Sequence, residues 1–234
     1  MALDMAEAAV AQALWPAGPV SFRASLPATA MAIEGATLIT VLRHGAVQGR
    51  PFVYRGRQDD PLSELGWKQM AAVIVASPPF AAIASSPLQR CQAFAQHLAE
   101  RHGLPLHVSP AFQEMAFGEW EGLTPEQATQ RHPAEHAVFR ASAGTVAAPG
   151  GENLVEVRQR VRAGWEAWLA DARGGQRLLV THAGVMRALL IELLGLPASH
   201  IYRIALPEAA HFQVSLLAGE APILLSLNSS CEAT

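Results

Sequence analysis

The chain of 234 residues has only two cysteines, Cys91 and Cys231. They supply neither a disulfide framework nor a metal-ligand spacing, which fits a reducing compartment and makes the cytoplasm the expected location. No apolar run reaches the roughly 18 to 20 residues that a membrane-spanning helix needs, so no membrane partner is expected. Nor does charge of one sign dominate. The formal balance of −3 offers no global attraction to polyanions, and nucleic acid is not expected as a partner. Any affinity for phosphate must therefore be local. The first 35 residues lack the positive charge of a secretory signal and carry Asp4 and Glu7 instead. They read as an N-terminal extension, either a short helix over 2–14 followed by a Pro/Gly-punctuated connection or a disordered stretch.

An apolar content of 50% is enough for one sizeable core, and a single domain over residues 36–234 is expected. From residue 36 onward, apolar runs of strand length alternate with helical patterns, an order that argues for parallel βαβ units in a layered α/β domain. ATLITVL (36–42), AAIAS (81–85) and RLLVT (177–181) read as buried strands. Asn153 and Glu156 form an N-cap pair, after which Leu154, Val157, Val161, Trp165 and Trp168 recur at helical spacing and belong to the core. Thr124, Pro125 and Gln127 read as N-cap, first helical residue and capping-box partner of another helix. The run over 222–227 is either a final strand or a dimer contact, which leaves monomer and homodimer both open.

The side chains with chemical potential fall where strands end. Arg43 and His44 follow the first strand, Arg90 lies in the first turns of a helix after the second, and His182 follows the third. Ligands of open α/β sheets bind outside the carboxyl ends of the strands, where helix N-termini offer free N–H groups to anions. A guanidinium fork matches phosphate oxygens, so two arginines can hold a phosphate without a metal. A neutral imidazole is a competent nucleophile near neutral pH, whereas a serine would need an accompanying base. One histidine can attack while the other stabilises charge.

LITVLRHG, YRGRQDDPLSELGWKQM, IASSPLQRC, FQEMAFGEWEG and LVTHAGVMR occur in that order. With these motifs the chain resembles the histidine phosphatase superfamily, also called phosphoglycerate mutase-like, over about residues 36–227. The resemblance implies a three-layer α/β/α domain with a mostly parallel central sheet. It makes His44 the phosphohistidine, with Arg43, Arg90 and His182 around the transferred phosphoryl group and Glu114 as the proton donor. No cofactor and no metal are implied, and the partner is a small-molecule phosphomonoester. Glu114 must be protonated for the first step, which suggests partial burial beside carboxylates such as Glu119 or Glu121. A helix N-terminus next to His44 is expected to keep its ring neutral.

Where many family members continue Arg-His-Gly with Glu-Thr or Glu-Ser and a later Asn, this chain has Ala46, Val47 and Gln48, with Arg50 near the Asn position. Gln48, Arg55, Gly56 and Ala183 are the candidates to complete the phosphate shell. Tyr54–Arg57 leading into Asp60–Ser63, together with the segment 117–122, looks most like α-ribazole phosphatases, which implies α-ribazole 5′-phosphate as substrate. Broad-specificity and sugar-phosphate phosphatases carry the same motifs. A glycolytic mutase fits less well, because the stretch from Glu114 to His182 is short. A non-catalytic phosphate-binding module would need the arginines but not both His44 and Glu114.

Other motifs reduce to structure. His132-Pro133-Ala134-Glu135-His136 matches H-x-x-E-H literally, but Pro133 confines His132 to a helix start and no third zinc ligand is apparent. Cys91 has His97 where a C-x₅-R phosphatase loop needs arginine, and reads as a core thiol. Gly150-Gly151 is a turn before the long helix, with Glu152 a candidate for the pocket.

Overall fold

The computed structural model describes residues 35–75, 80–172 and 174–228. The N-terminal helix expected over 2–14 lies outside the described residues, as does Cys231. Six strands form one sheet in the order β3-β2-β4-β1-β5-β6. They are β1 (Thr37–Arg43), β2 (Ala82–Ser85), β3 (Leu106–Val108), β4 (Gly175–Thr181), β5 (His211–Leu216) and β6 (Ile223–Asn228). β1 to β4 are mutually parallel, and β5 and β6 close one side as an antiparallel pair. The mostly parallel sheet is the expected one. The run over 222–227 is a final strand, paired with β5.

Period-2 alternation explains the three layers. Ile39 and Val41 of β1 and Leu179 of β4 pack into one apolar cluster, while Leu42, Leu178 and Val180 pack into the other. The first cluster is completed by α5 (Leu154–Leu169) and α6 (Ala183–Leu194), the second by α1 (Glu64–Val75) and α2 (Gln89–His102). Central strands buried on both faces read as continuous apolar runs for this reason. Each fully buried Leu or Ile there contributes about 1.5–3 kcal/mol relative to exposure.

Local chemistry sets the helix starts. Asn153 and Glu156 form a reciprocal capping box at α5, and all five apolar residues expected on its inner face are buried. Thr124 and Gln127 do the same for α3 (Pro125–Arg131), with Pro125 in the first turn. His132 sits at the N-cap of α4 (Pro133–Ala141), as Pro133 requires. His136 is buried with both ring nitrogens engaged, Nε2 with the Tyr54 hydroxyl at 2.9 Å and Nδ1 with the Thr129 hydroxyl at 2.9 Å. The H-x-x-E-H match is architecture. α1 docks by backbone contact: a Cβ on Gly45 would lie 2.3 Å from the Gly66 carbonyl oxygen, so only glycines allow this loop and helix to meet.

Candidate active site

The register of the sheet assembles the site. Arg43 and Thr181 are paired across β1 and β4, so the next residues, His44 and His182, emerge side by side at the carboxyl edge. The His44 amide donates to the Thr181 carbonyl at 2.9 Å, and the two imidazoles meet edge to face with centroids 5.2 Å apart. Ser85 of β2 is paired with Val180, which brings Ser86 to the same edge. Its hydroxyl lies 2.8 Å from His182 Nε2.

His44 Nδ1 lies 2.8 Å from the Gly45 carbonyl oxygen. A carbonyl only accepts, so Nδ1 carries the proton and Nε2 keeps its lone pair. Burial holds the His44 pKa well below the ordinary value, and Arg43 and Arg90 add to the effect. His44 itself opens a loop, and the helix N-terminus beside it is that of α6, whose N-cap is His182. His182 is likewise held well below its ordinary value, by burial first and then by Arg90 and His44.

The arginines are fixed through backbone carbonyls. Arg43 Nη1 donates to Leu206 at 2.6 Å. Arg90, only 1% exposed, donates Nη1 to Gln58 at 2.5 Å and Nη2 to Gly56 at 2.7 Å. Neither pairs with a carboxylate among the described residues. The loop carrying Gly56 is docked further by Asp59, which accepts from the Gln89 amide at the start of α2. Arg55 is clasped to Asp60 and to the Arg50 carbonyl, and lies near enough to Arg90 and Arg43 to feel their charge.

Glu114 approaches from the opposite side of the sheet's edge. Its carboxylate accepts from the Gly184 amide in the first turn of α6 and from the Met115 amide. A Cβ on Gly184 would lie 2.2 Å from Glu114 Oε1, so glycine is needed for the carboxylate to reach that amide. Arg160 of α5 holds the segment carrying Glu114, donating to the carbonyls of Ala111, Gln113 and Glu114 and to the Glu152 carboxylate.

A continuous match over residues 39–230 joins the chain to the family described as histidine phosphatase superfamily (branch 1). The chain belongs to that superfamily. A bifunctional protein of Mycobacterium tuberculosis is 32% identical over 218 residues, covering 90% of this chain and 60% of its own length. The chain thus spans about 60% of the length of this first group of curated relatives. Glucosyl-3-phosphoglycerate phosphatase of the same organism is 35% identical over 176 residues, 69% of this chain and 77% of that one. The solved mycobacterial structure of that name superposes with a TM-score of 0.73 at 30% identity, covering 83% of this chain and all of the other. The α-ribazole phosphatase of Shigella flexneri gives 0.72 at 24% identity, over 82% and 96%, a likeness of fold.

Within this histidine phosphatase fold, the five expected central residues, His44, Arg43, Arg90, His182 and Glu114, converge on one edge of the sheet. The four shell candidates fare differently. Arg55 joins the arginine group, Gly56 supports Arg90 through its carbonyl, and Ala183 is the first residue of α6. Gln48 is exposed and donates its side-chain amide to the Leu62 carbonyl at 3.1 Å, bracing the loop.

Two expected neighbourhoods are corrected. Glu119 faces His132 at 3.9 Å, and Glu121 accepts from the amides of Arg57 and Phe117. The contacts of Glu114 are backbone amides, not carboxylates. Glu152 is consumed by Arg160, Arg57 and the Ala116 amide; burial alone would raise its pKa, and these partners bring it below the ordinary value instead. Cys91 is the core thiol expected, fully buried in the second apolar cluster; its Sγ also lies 3.5 Å from His182 Nε2, and burial pushes its pKa up, which keeps it neutral. Sequence reasoning missed Ser86 and Gly184 as site residues, although both stand inside the quoted motifs.

The two buried imidazoles make stability depend on pH. Their folded pKa values lie below the unfolded value of about 6.5, so the unfolded chain binds more protons in acid. Their contribution is fully present above about pH 6.5 and is lost as pH falls towards the folded values. The melting temperature is expected to hold steady above neutrality and to drop as acid is added. In His44→Ala the acid limb should be shallower; an unchanged slope would mean that His44 is not buried neutral.

Proposed function

We propose that the protein is a metal-independent phosphomonoester hydrolase acting through a phosphohistidine on His44. The observation that carries this reading is a neutral imidazole, anchored through Nδ1, beside the buried Arg90 and the half-buried Arg43, neither of which pairs with a carboxylate among the described residues. In the first step His44 Nε2 forms a bond to phosphorus, the bond to the leaving oxygen breaks, and Glu114 delivers its proton to that oxygen. In the second, water attacks phosphorus, the P–N bond breaks, Glu114 takes a proton from the water, and His44 returns neutral. Arg43, Arg90 and His182 meet the charge on the equatorial oxygens; because they are already fixed, little reorganisation is needed at the transition state. The cytoplasm is the proposed location, on cysteine usage.

Two substrates compete within this reading. α-Ribazole 5′-phosphate is implied by the 54–63 and 117–122 motifs. Glucosyl-3-phosphoglycerate is supported by the more similar relative, at 35% identity. Phosphate release in the presence of EDTA should be retained on p-nitrophenyl phosphate and on at least one of these two. Loss of turnover in EDTA, restored by a divalent cation, would overturn the metal-independent mechanism, and kcat/KM on the two natural esters ranks them.

A further inference from the structure

Arg187 belongs to α6, three residues after Gly184, whose amide holds Glu114. Residues three apart share a helix face, so Arg187 stands one turn above the Glu114 contact. Its guanidinium lies over the Tyr202 ring, 5.0 Å from the centroid. Among the described residues no carboxylate pairs with it, and its buried Nε has no hydrogen-bond partner. Arg43 feels the Glu114 and Glu208 carboxylates and, less strongly, the like charge of Arg187, while Tyr202 feels Arg187, Glu114 and Tyr54. The Tyr202 hydroxyl reaches 3.3 Å from where a Cβ on Gly144 would stand, in the turn after α4. Tyr54 stacks on Phe117 at 4.9 Å. Arg187 and Tyr202 thus stand on the Glu114 side of the cluster, where the leaving group must lie if Glu114 protonates it.

Arg43, Arg90 and His182 already suffice for one phosphoryl group. A further cation near Arg43, stacked on an aromatic ring and without a salt-bridge partner among the described residues, is placed to meet a second anion. We propose that Arg187, oriented by Tyr202, forms a subsite for an anionic group on the leaving alcohol, a carboxylate or a second phosphate. This rests on the phosphomonoesterase reading and deepens it: the preferred substrates carry two anionic groups, and a neutral nucleoside is not the best leaving group.

Matched pairs test this in the full chain. 3-Phosphoglycerate and glycerol 3-phosphate differ in a carboxylate, and fructose 1,6-bisphosphate and fructose 6-phosphate differ in a second phosphate. The wild type should favour the doubly anionic member of at least one pair in kcat/KM by roughly 10- to 100-fold, as a charge-assisted contact provides, and the pair that responds identifies the anion. In Arg187→Gln that ratio should fall to within about threefold of unity, with Arg187→Lys in between. Equal rates in the wild type, or a ratio unchanged in Arg187→Gln, would overturn the subsite. The wild-type comparison decides even where a variant fails to fold. p-Nitrophenyl phosphate separates the two levels: its turnover without anion preference defeats only the subsite, whereas no turnover defeats the hydrolase reading. In that case calorimetric binding of 3-phosphoglycerate against glycerol 3-phosphate still decides the subsite.

Discussion

His44→Ala is expected to lower kcat by roughly 10⁴-fold or more on every phosphomonoester, because it removes the atom that takes the phosphoryl group. The other groups do not replace it. Arg43 and Arg90 can still bind phosphate, but direct attack by water would need a base on the face where His44 stood, and His182 Nε2 is engaged with Ser86. KM should move far less than kcat, since the arginines keep their carbonyl anchors at Leu206, Gln58 and Gly56. The check is twofold. Steady-state turnover should collapse, and rapid quench of the wild type should trap an acid-labile, base-stable label that the variant lacks. A variant retaining a tenth of the activity, or about that, would rule out the phosphohistidine route.

Glu114→Gln should separate substrates by their leaving groups. The amide is close to isosteric and its oxygen can still accept from Gly184, so the segment held by Arg160 keeps its shape. What is lost is the transferable proton. For an alkyl phosphate, whose alkoxide is a poor leaving group, kcat should fall by about 10²- to 10⁴-fold. With p-nitrophenyl phosphate, whose phenolate departs unaided, the first step should be much less affected, and only the activation of water in the second should suffer. Equal losses on both esters would count against the acid role. Burst kinetics with the aryl ester give a second view: in the variant a burst of nitrophenol should precede a slow steady state.

Much of the fold was legible because its determinants are local. The apolar runs of β1, β2 and β4 are the mark of strands covered on both faces, and the capping boxes at Thr124 and Asn153 mark helix starts within four residues. β3 and β5 were not read. β3 is three residues long, and β5, HFQVSL, sets His211, Gln213 and Ser215 between its apolar residues, so no continuous apolar run marks it. His44, Arg43, Arg90, His182 and Glu114 were legible through short motifs in a fixed order, each weak by itself.

The sequence by itself therefore determined the layered α/β class, the family, and the identities of the residues at the strand ends. Only the tertiary structure decided how those residues meet. Register places Arg43 opposite Thr181 and Ser85 opposite Val180, so that His44, His182 and Ser86 share an edge although up to 138 residues separate them. It also decided that Glu114 rests on backbone amides, that Gln48 braces a loop, and that Arg187 lies over the Tyr202 ring without a carboxylate partner among the described residues. The physical reason is range: helix and strand patterns are written by neighbours within one or two turns, whereas partners across a sheet or between layers depend on strand order and packing, which no local window contains.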